Sequence, residues 1–278
     1  KDLILNQIKK GFPLGLTGLL GAGILYMDGV MVSKIEGVTA YAIYRNGAIE
    51  VPFIATLYGS IAAIILPEVT RLYSNNNFKK IIKLKRKVIM NTMMITYPIL
   101  VFLLFNSKNL VVLYLGQKYE ASAIIFAIFN LTLLVRVTNY SDILVAANLS
   151  KQIFTYYSLT FILNILLNYI LITIFGSIGA AISTIICITF VAFLQMNKSL
   201  IVLKAKFKNL FDWKKVSLLI ITTVILASGI ELLLSQFINQ KIKLITFSIL
   251  YFPIIYFYLL KSKFISPEIV NFFLQKKQ

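Results

Sequence analysis

Residues 9–34 read KKGFPLGLTGLLGAGILYMDGVMVSK, and this stretch carries the pattern that decides the fold. Between Lys10 and Lys34 it contains a single charged residue, Asp28, in a run of apolar and small residues. A helix needs about 20 mainly apolar residues to cross the hydrocarbon core of a membrane. The stretch therefore predicts a transmembrane helix over Gly11–Ser33.

The same pattern recurs along the rest of the chain. These runs are apolar on all sides rather than alternating, which excludes a closed β-barrel, the other structure that can span a membrane. We predict an all-α fold, a polytopic membrane helix bundle. Its eight transmembrane helices are expected over Gly11–Ser33, Thr39–Leu66, Val88–Phe105, Ala121–Ala147, Gln152–Ile174, Gly179–Met196, Val216–Ile238 and Leu244–Leu260.

The composition agrees with a membrane protein. Of the 278 residues, 59% are hydrophobic and 14% charged, whereas soluble domains carry about 45–50% apolar and about 25% charged residues. The chain has no histidine and one cysteine, Cys187, which excludes histidine catalysis, His/Cys zinc sites and an intrachain disulfide. We expect no cofactor and no metal, and the short loops argue against an enzyme.

The net charge of +18, from 28 lysines and arginines against 10 acidic residues, gives an orientation. When the loops are assigned alternately to the two sides, 21 of the 28 basic residues fall on one side and 5 on the other. Cytoplasmic loops carry such an excess, so we predict that both ends are cytoplasmic. The basic segment 79–87, KKIIKLKRK, predicts a short helix lying on the anionic inner leaflet, and no nucleic-acid partner is expected.

Charged residues within the predicted helices are candidates for function, because lipid contact is costly for them. Asp28 and Arg45 lie at similar depths below the outer boundary of the first two helices, and we expect a contact or a shared water-filled space between them. A purely structural ion pair is the alternative. Glu50 precedes Pro52, which weakens the helical hydrogen bonds near mid-depth.

The fourth predicted helix contains Arg136, within LLVRVTNYSD, and also Asp142. A guanidinium at mid-depth needs an anion, a water-filled cavity or carbonyl oxygens. Helical spacing places Thr132, Asn139 and Tyr140 on the same face as Arg136.

In the fifth predicted helix, Asn164 and Asn168 are four residues apart and share a face. Hydrogen bonding between helices is the simpler explanation for such a pair.

Several stretches in order resemble one family, the bacterial polysaccharide flippases that translocate O-antigen repeat units, within the MATE-like multidrug, oligosaccharidyl-lipid and polysaccharide exporter superfamily. The stretches are KKGFPLGLTGLLGAGILYMDGVMVSK, ILPEVTRLYS, YLGQKYEASAIIFAIF, AANLSKQ and NILLNYILITIFGSIGAAISTI. The resemblance covers the chain from Lys9 to about Lys215.

The resemblance implies a division of the chain. Family members typically have fourteen helices, in two six-helix lobes followed by two further helices. Residues 1–210 would then be the second lobe, and residues 211–278 the two additional helices with a cytoplasmic tail. Since the sequence begins at Lys1 rather than at methionine, we expect a missing N-terminal lobe of the same protein to be a partner.

The resemblance also implies a substrate, an oligosaccharide joined through pyrophosphate to a polyprenyl lipid and moved across the bacterial cell (inner) membrane by alternating access. Membrane lipids would surround the bundle. In that mechanism Arg45 and Arg136 would bind the pyrophosphate. The side chains of Asn139, Tyr140, Asn164 and Asn168 would meet sugar hydroxyls, while Asp28, Glu50 or Asp142 would couple an ion or proton.

Three alternatives stay open at this point. A flippase for lipid II or for a teichoic-acid precursor differs only in its cargo. A cation-coupled multidrug exporter of the same superfamily should present an acidic cavity, which two buried arginines disfavour. An integral-membrane glycan polymerase should have an extended outer loop.

The predicted orientation can be checked by cysteine labelling in a Cys187→Ser background. A membrane-impermeant maleimide should label Asn239→Cys in intact cells, and it should label Ser262→Cys only after the membrane is permeabilised. The reverse pattern would contradict a cytoplasmic C-terminus.

Overall fold

The computed structural model describes residues 2–235 and 240–262, and these residues form helices with short connections. The end of the predicted helix Val216–Ile238, the labelling position Asn239 and the tail 263–278 lie outside the described residues. The helices are α1 (Asp2–Glu36), α2 (Val38–Gly47), α3 (Pro52–Ser74), α4 (Phe78–Leu115), α5 (Ser122–Asn130), α6 (Asp142–Ala146), α7 (Ser150–Phe175), α8 (Ser177–Val202), α9 (Trp213–Leu234) and α10 (Gln240–Lys261).

The all-helical membrane bundle is confirmed, with no strand in the described ranges. Seven helices of the described part are long and apolar enough to cross a membrane, whereas the sequence predicted eight continuous ones. They are Gly11–Glu36, Phe53–Ser74, Phe78–Leu115, Ser150–Phe175, Ser177–Val202, Trp213–Leu234 and Lys241–Lys261.

The prediction of one continuous helix over Thr39–Leu66 is wrong. The helix stops at Gly47 and restarts at Pro52, which leaves residues 48–51 outside regular helix. A residue before proline is driven out of the helical region, and proline itself suits the first position of a new helix. At Gly47 a Cβ would lie 2.7 Å from the Ser122 carbonyl oxygen, so only glycine permits this approach of α2 to α5.

The prediction of one helix over Ala121–Ala147 is also wrong. After α5 comes a single 3₁₀ turn, Leu131–Leu134, and residues 135–141 follow no regular helix before α6 begins. Polar side chains compete for the backbone groups here. The Asn139 Oδ1 accepts from the Ser141 backbone N–H at 3.0 Å, and the Tyr140 hydroxyl donates to the Val135 carbonyl at 2.7 Å. The two interrupted segments are named break 1 (residues 48–51) and break 2 (residues 135–141).

The basic segment 79–87 is not a separate surface helix, because it forms the first turns of α4, which has 38 residues. Within it, Lys85 is buried rather than facing lipid headgroups, at 2% exposed. Its ammonium donates to the Thr138 hydroxyl at 2.7 Å, to the Asn139 carbonyl at 2.6 Å and to the Asp142 carboxylate at 2.7 Å. Lys85 therefore ties α4 to break 2 and to the start of α6.

The helices pack in two groups that meet at α5. On one side α1 lies along α7 and α8, which are joined at Gly176, where φ is +62°. On the other side α9 and α10 pack against each other and against α4, with ring contacts from Phe102 to Phe247 and Tyr251. Helix α5 contacts α4 as well as α2 and α8, so breaks 1 and 2 lie between the two groups.

The buried Lys85–Asp142 pair leads to a stability prediction. Replacing Lys85→Met leaves the Asp142 carboxylate buried without its cation, which should lower the free energy of unfolding by about 3–5 kcal/mol. The loss would be measured as a lower thermal midpoint of the purified protein in detergent. The double variant Lys85→Met with Asp142→Leu should recover most of it, because both charges are then removed.

Lys83→Met is the matched control, since Lys83 is two residues away on the same helix but exposed. A midpoint for Lys85→Met equal to that of Lys83→Met would show that the buried pair does not hold break 2.

Candidate functional site

A cavity of about 320 Å³ lies where break 2 faces α1, α7 and α8, and it is named cavity 1. Arg136, Asn139 and Tyr140 line it together, as the sequence predicted, although they reach it from break 2 rather than from one face of a helix. Thr132 is buried at 2% exposed and is not on the wall, so its predicted place beside them is wrong. The wall consists of Gly21, Ile24, Leu25, Val135, Arg136, Thr138, Asn139, Tyr140, Tyr157, Cys187, Ile188, Val191, Ala192 and Gln195.

Arg136 has a specific anionic partner in break 1. Its Nη1 lies 2.7 Å from the Glu50 Oε2, and the two side chains are 27% and 22% exposed. A guanidinium has five N–H donors, and this is the one hydrogen bond that the Arg136 side chain makes within the described part of the chain. The remaining donors are available to an anion that enters cavity 1.

A second cavity, cavity 2, has a volume of about 190 Å³ and lies beside break 1. Arg45 and Glu50 both line it, and the Arg45 side chain is exposed. Leu25 belongs to both cavities, which makes the two spaces neighbours. The wall of cavity 2 consists of Leu25, Tyr26, Gly29, Tyr41, Tyr44, Arg45, Ala48, Glu50 and Phe129.

Asp28 is fully buried and is bound by neutral donors from three other helices. On its Oδ1 it accepts the side-chain amide groups of Asn164 at 3.0 Å and Asn168 at 2.6 Å. On its Oδ2 it accepts the hydroxyl groups of Tyr44, at 3.1 Å, and of Thr184. These contacts join α1 to α2, α7 and α8 through a single carboxylate.

The expected contact between Asp28 and Arg45 is wrong. Tyr44, the residue before Arg45, takes the place beside the carboxylate, and Arg45 points into cavity 2. A shared water-filled space is not formed either, because Asp28 lines neither cavity.

For Asn164 and Asn168 the structure shows the interhelical hydrogen bonding that the sequence offered as the simpler explanation. Both side chains are 0% exposed and lie outside the walls of the cavities. The Oδ1 atoms of their side-chain amides are buried without a hydrogen-bond partner among the described residues. These amides therefore belong to the surroundings of Asp28 rather than to a sugar-binding surface.

Among the acidic candidates, the partners differ. Asp142 is paired with Lys85 and Glu50 with Arg136, whereas Asp28 forms no ion pair with any described residue. The described ranges contain no group of three or more His, Cys, Asp or Glu residues that could hold a metal ion.

Sequence reasoning missed four side chains of this region. Tyr44 and Thr184 contact Asp28, Lys85 fixes break 2, and Gln195 lines cavity 1. Spacing on α8 offered a weak signal, since Thr184 lies on an otherwise small-residue face. No local pattern distinguishes Lys85 from the other lysines of its run.

Two comparisons with known proteins gave matches. The family model described as "Lipid II flippase MurJ" matches residues 6–253. An uncharacterized membrane protein of Methanocaldococcus jannaschii is 27% identical in an alignment 192 residues long that covers 66% of this chain. The matched region spans 37% of the length of that relative.

Proposed function

Because the chain belongs to the family of lipid II flippases that the MurJ model describes, we propose that it transports a lipid II-type precursor, a glycan unit linked through pyrophosphate to a polyprenyl lipid, across the cell membrane. Members of this family are transporters rather than enzymes. The match favours the alternative cargo, lipid II, over the O-antigen repeat unit that the sequence resemblance implied. A multi-pass helical membrane protein is the setting that both cargoes need.

The observation that supports this proposal most directly is Arg136 in cavity 1. A partly buried arginine inside a membrane bundle with free N–H donors is suited to phosphate oxygens, which it can bind in a bidentate manner. Asn139, Tyr140 and Gln195 line the same space and can contact sugar hydroxyls.

The size of cavity 1 limits what it holds. Ligand pockets usually measure about 300–1,000 Å³, and cavity 1, at about 320 Å³, is at the small end. It suits the pyrophosphate and the first sugar, while the polyprenyl chain stays in lipid.

Two interrupted helices beside the cavities also support a transporter. In secondary transporters, substrate sites are typically formed by discontinuous membrane helices, and rocking of one bundle against another alternates the access. Breaks 1 and 2 lie between the two helix groups and carry Glu50 and Arg136. We propose that the groups move relative to each other at these breaks.

We also propose that residues 1–210 form a second lobe and that residues 211–278 form two additional helices. A first lobe of the same protein would then be their partner. Exposed apolar side chains along α1 suit contact with such a lobe or with lipid, including Leu19 at 71% and Tyr26 at 65% exposed.

For coupling, we narrow the three acidic candidates to Asp28, because Glu50 and Asp142 already have cationic partners. Turning the amides of Asn164 and Asn168 would direct their two unpaired oxygens to the carboxylate. Together with the Thr184 hydroxyl, they would surround a monovalent cation with oxygen atoms. A proton on Asp28 is the simpler form of the same coupling.

Arg136 provides the first test of the transport proposal, in the complete transporter reconstituted in vesicles with lipid II. Arg136→Gln should lower the transport rate by roughly ten- to a hundredfold, because charged hydrogen bonds to the pyrophosphate are lost. Arg136→Lys should retain part of the rate, since it keeps the charge without the bidentate geometry.

Arg71→Gln is the matched control, because Arg71 is an exposed arginine that is paired with Glu68 at the end of α3. An unchanged rate in Arg136→Gln would remove Arg136 from the mechanism. Faster transport of a lipid-linked O-antigen unit than of lipid II would restore the O-antigen cargo.

Asp28 provides the second test, by measuring the wild-type transport rate with sodium chloride, with choline chloride and across pH. A sodium dependence is expected for a cation, and a pH dependence for a proton. Asp28→Asn should abolish whichever dependence is found, and Thr184→Val should weaken a sodium dependence. A wild-type transport rate that depends on neither sodium nor pH would contradict coupling at Asp28.

A further inference from the structure

We propose that Glu50 is an internal ligand of Arg136 which the anionic headgroup displaces when it enters cavity 1. The inference rests on the proposed function, because it takes the substrate to be a lipid that carries pyrophosphate. On this basis the ion pair is a contact that substrate binding opens, rather than a fixed brace of the bundle.

The position of the pair supports this role. Glu50 lies in break 1 and Arg136 in break 2, so both are attached to backbone that regular helical hydrogen bonds do not hold. Arg136 lines cavity 1 and Glu50 lines cavity 2, which places the pair between the two spaces. Opening the pair would connect the cavities and free the two breaks from each other.

The pair is also incompletely satisfied. One hydrogen bond joins it, from Nη1 to Oε2, while the Glu50 Oε1 is shielded from solvent without any partner among the described residues. A partly buried pair with unsatisfied atoms gives little net stability, because its desolvation cost offsets its attraction. Exchange of this carboxylate for a phosphate group, which arginine can bind with two hydrogen bonds, is therefore favourable.

The other ion pair of the region is a useful comparison. The Lys85 ammonium has three acceptors, and the side chains of Lys85 and Asp142 are 3% and 2% exposed. The Lys85 ammonium uses all three of its N–H donors, and the pair is shielded from solvent. Break 2 is thus fixed at Asn139 and at the adjoining Asp142 of α6. The ion pair of Arg136 with Glu50 is the contact that substrate can exchange.

The displaced carboxylate has a second cation within its own cavity. Arg45 lines cavity 2 together with Glu50, and its exposed side chain forms no ion pair with a described residue. When a phosphate group binds Arg136, the Glu50 side chain can turn toward Arg45, which then compensates its charge. Arg45 then contributes to the cycle by receiving Glu50 rather than by binding the pyrophosphate.

The experiment measures binding of inorganic pyrophosphate to the complete, purified transporter by calorimetry. Glu50→Gln removes the competitor and should tighten the binding by about tenfold, the scale of one charged hydrogen bond. Adding Arg136→Gln to this variant should abolish the gain. Glu68→Gln is the matched control, because it neutralises an exposed glutamate that is paired with Arg71, and it should bind pyrophosphate as the wild type does.

Glu50→Asp provides a second variant should the glutamine protein fold poorly. It keeps the charge but shortens the side chain, so that the carboxylate no longer reaches Arg136, and an intermediate gain is expected. A thermal midpoint near that of the wild type would show that either variant is folded. In vesicles, Glu50→Gln should lower both the KM for lipid II and the maximal rate, because Glu50 no longer competes for Arg136 when the headgroup is released.

The outcomes separate the two proposals. Unchanged or weaker pyrophosphate binding in folded Glu50→Gln would overturn the exchange, even if the wild type transports lipid II. Tighter binding in Glu50→Gln, with no lipid II transport by the wild type, would support the exchange and reject the lipid II cargo.

Discussion

The burial of the Asp28 carboxylate is the constraint on which the packing of the first helix group depends. An ionisable group inside a membrane bundle is costly unless its oxygens are hydrogen-bonded. Here four neutral donors from α2, α7 and α8 converge on it. The position of α1 relative to three other helices is thereby set by one side chain, and the walls of both cavities follow from that position.

The second helix group has a different anchor, the contact of Lys85 with Thr138, Asn139 and Asp142. It allows break 2 to exist, because the polar backbone of an interrupted helix needs partners when water is absent. Break 1 has no ionic anchor: the Asn130 side-chain amide donates to its Ile49 carbonyl at 3.3 Å, and the preceding Gly47 packs closely against α5. One break is therefore fixed by a buried charge and the other by a neutral amide and close packing, and the pair of Glu50 and Arg136 joins them.

The sequence was sufficient for the helix bundle, because the apolar runs are a property of the whole chain. It also identified Arg136, Asn139 and Tyr140 as neighbours, although for the wrong reason, since a helical face was expected and an irregular segment was found. The incorrect predictions concern which side chains contact each other. Nothing local in the run 79–87 shows that Lys85 alone turns inward, and the choice of Tyr44 over Arg45 as the partner of Asp28 depends on how α2 is rotated against α1. Such choices are made by tertiary packing.

The contacts along α4 also fix the depth of cavity 1. The Tyr97 hydroxyl donates to the Leu134 carbonyl, and the Lys85 ammonium donates to Thr138, so Arg136 is bracketed between two levels of one helix that are about 18 Å apart. The Lys85 level lies in the basic segment, and the Tyr97 level lies at the middle of the uncharged stretch between Lys87 and Lys108. On the proposed function, cavity 1 would lie off-centre in the bilayer, and a headgroup from the leaflet at the basic end would travel the shorter way to Arg136.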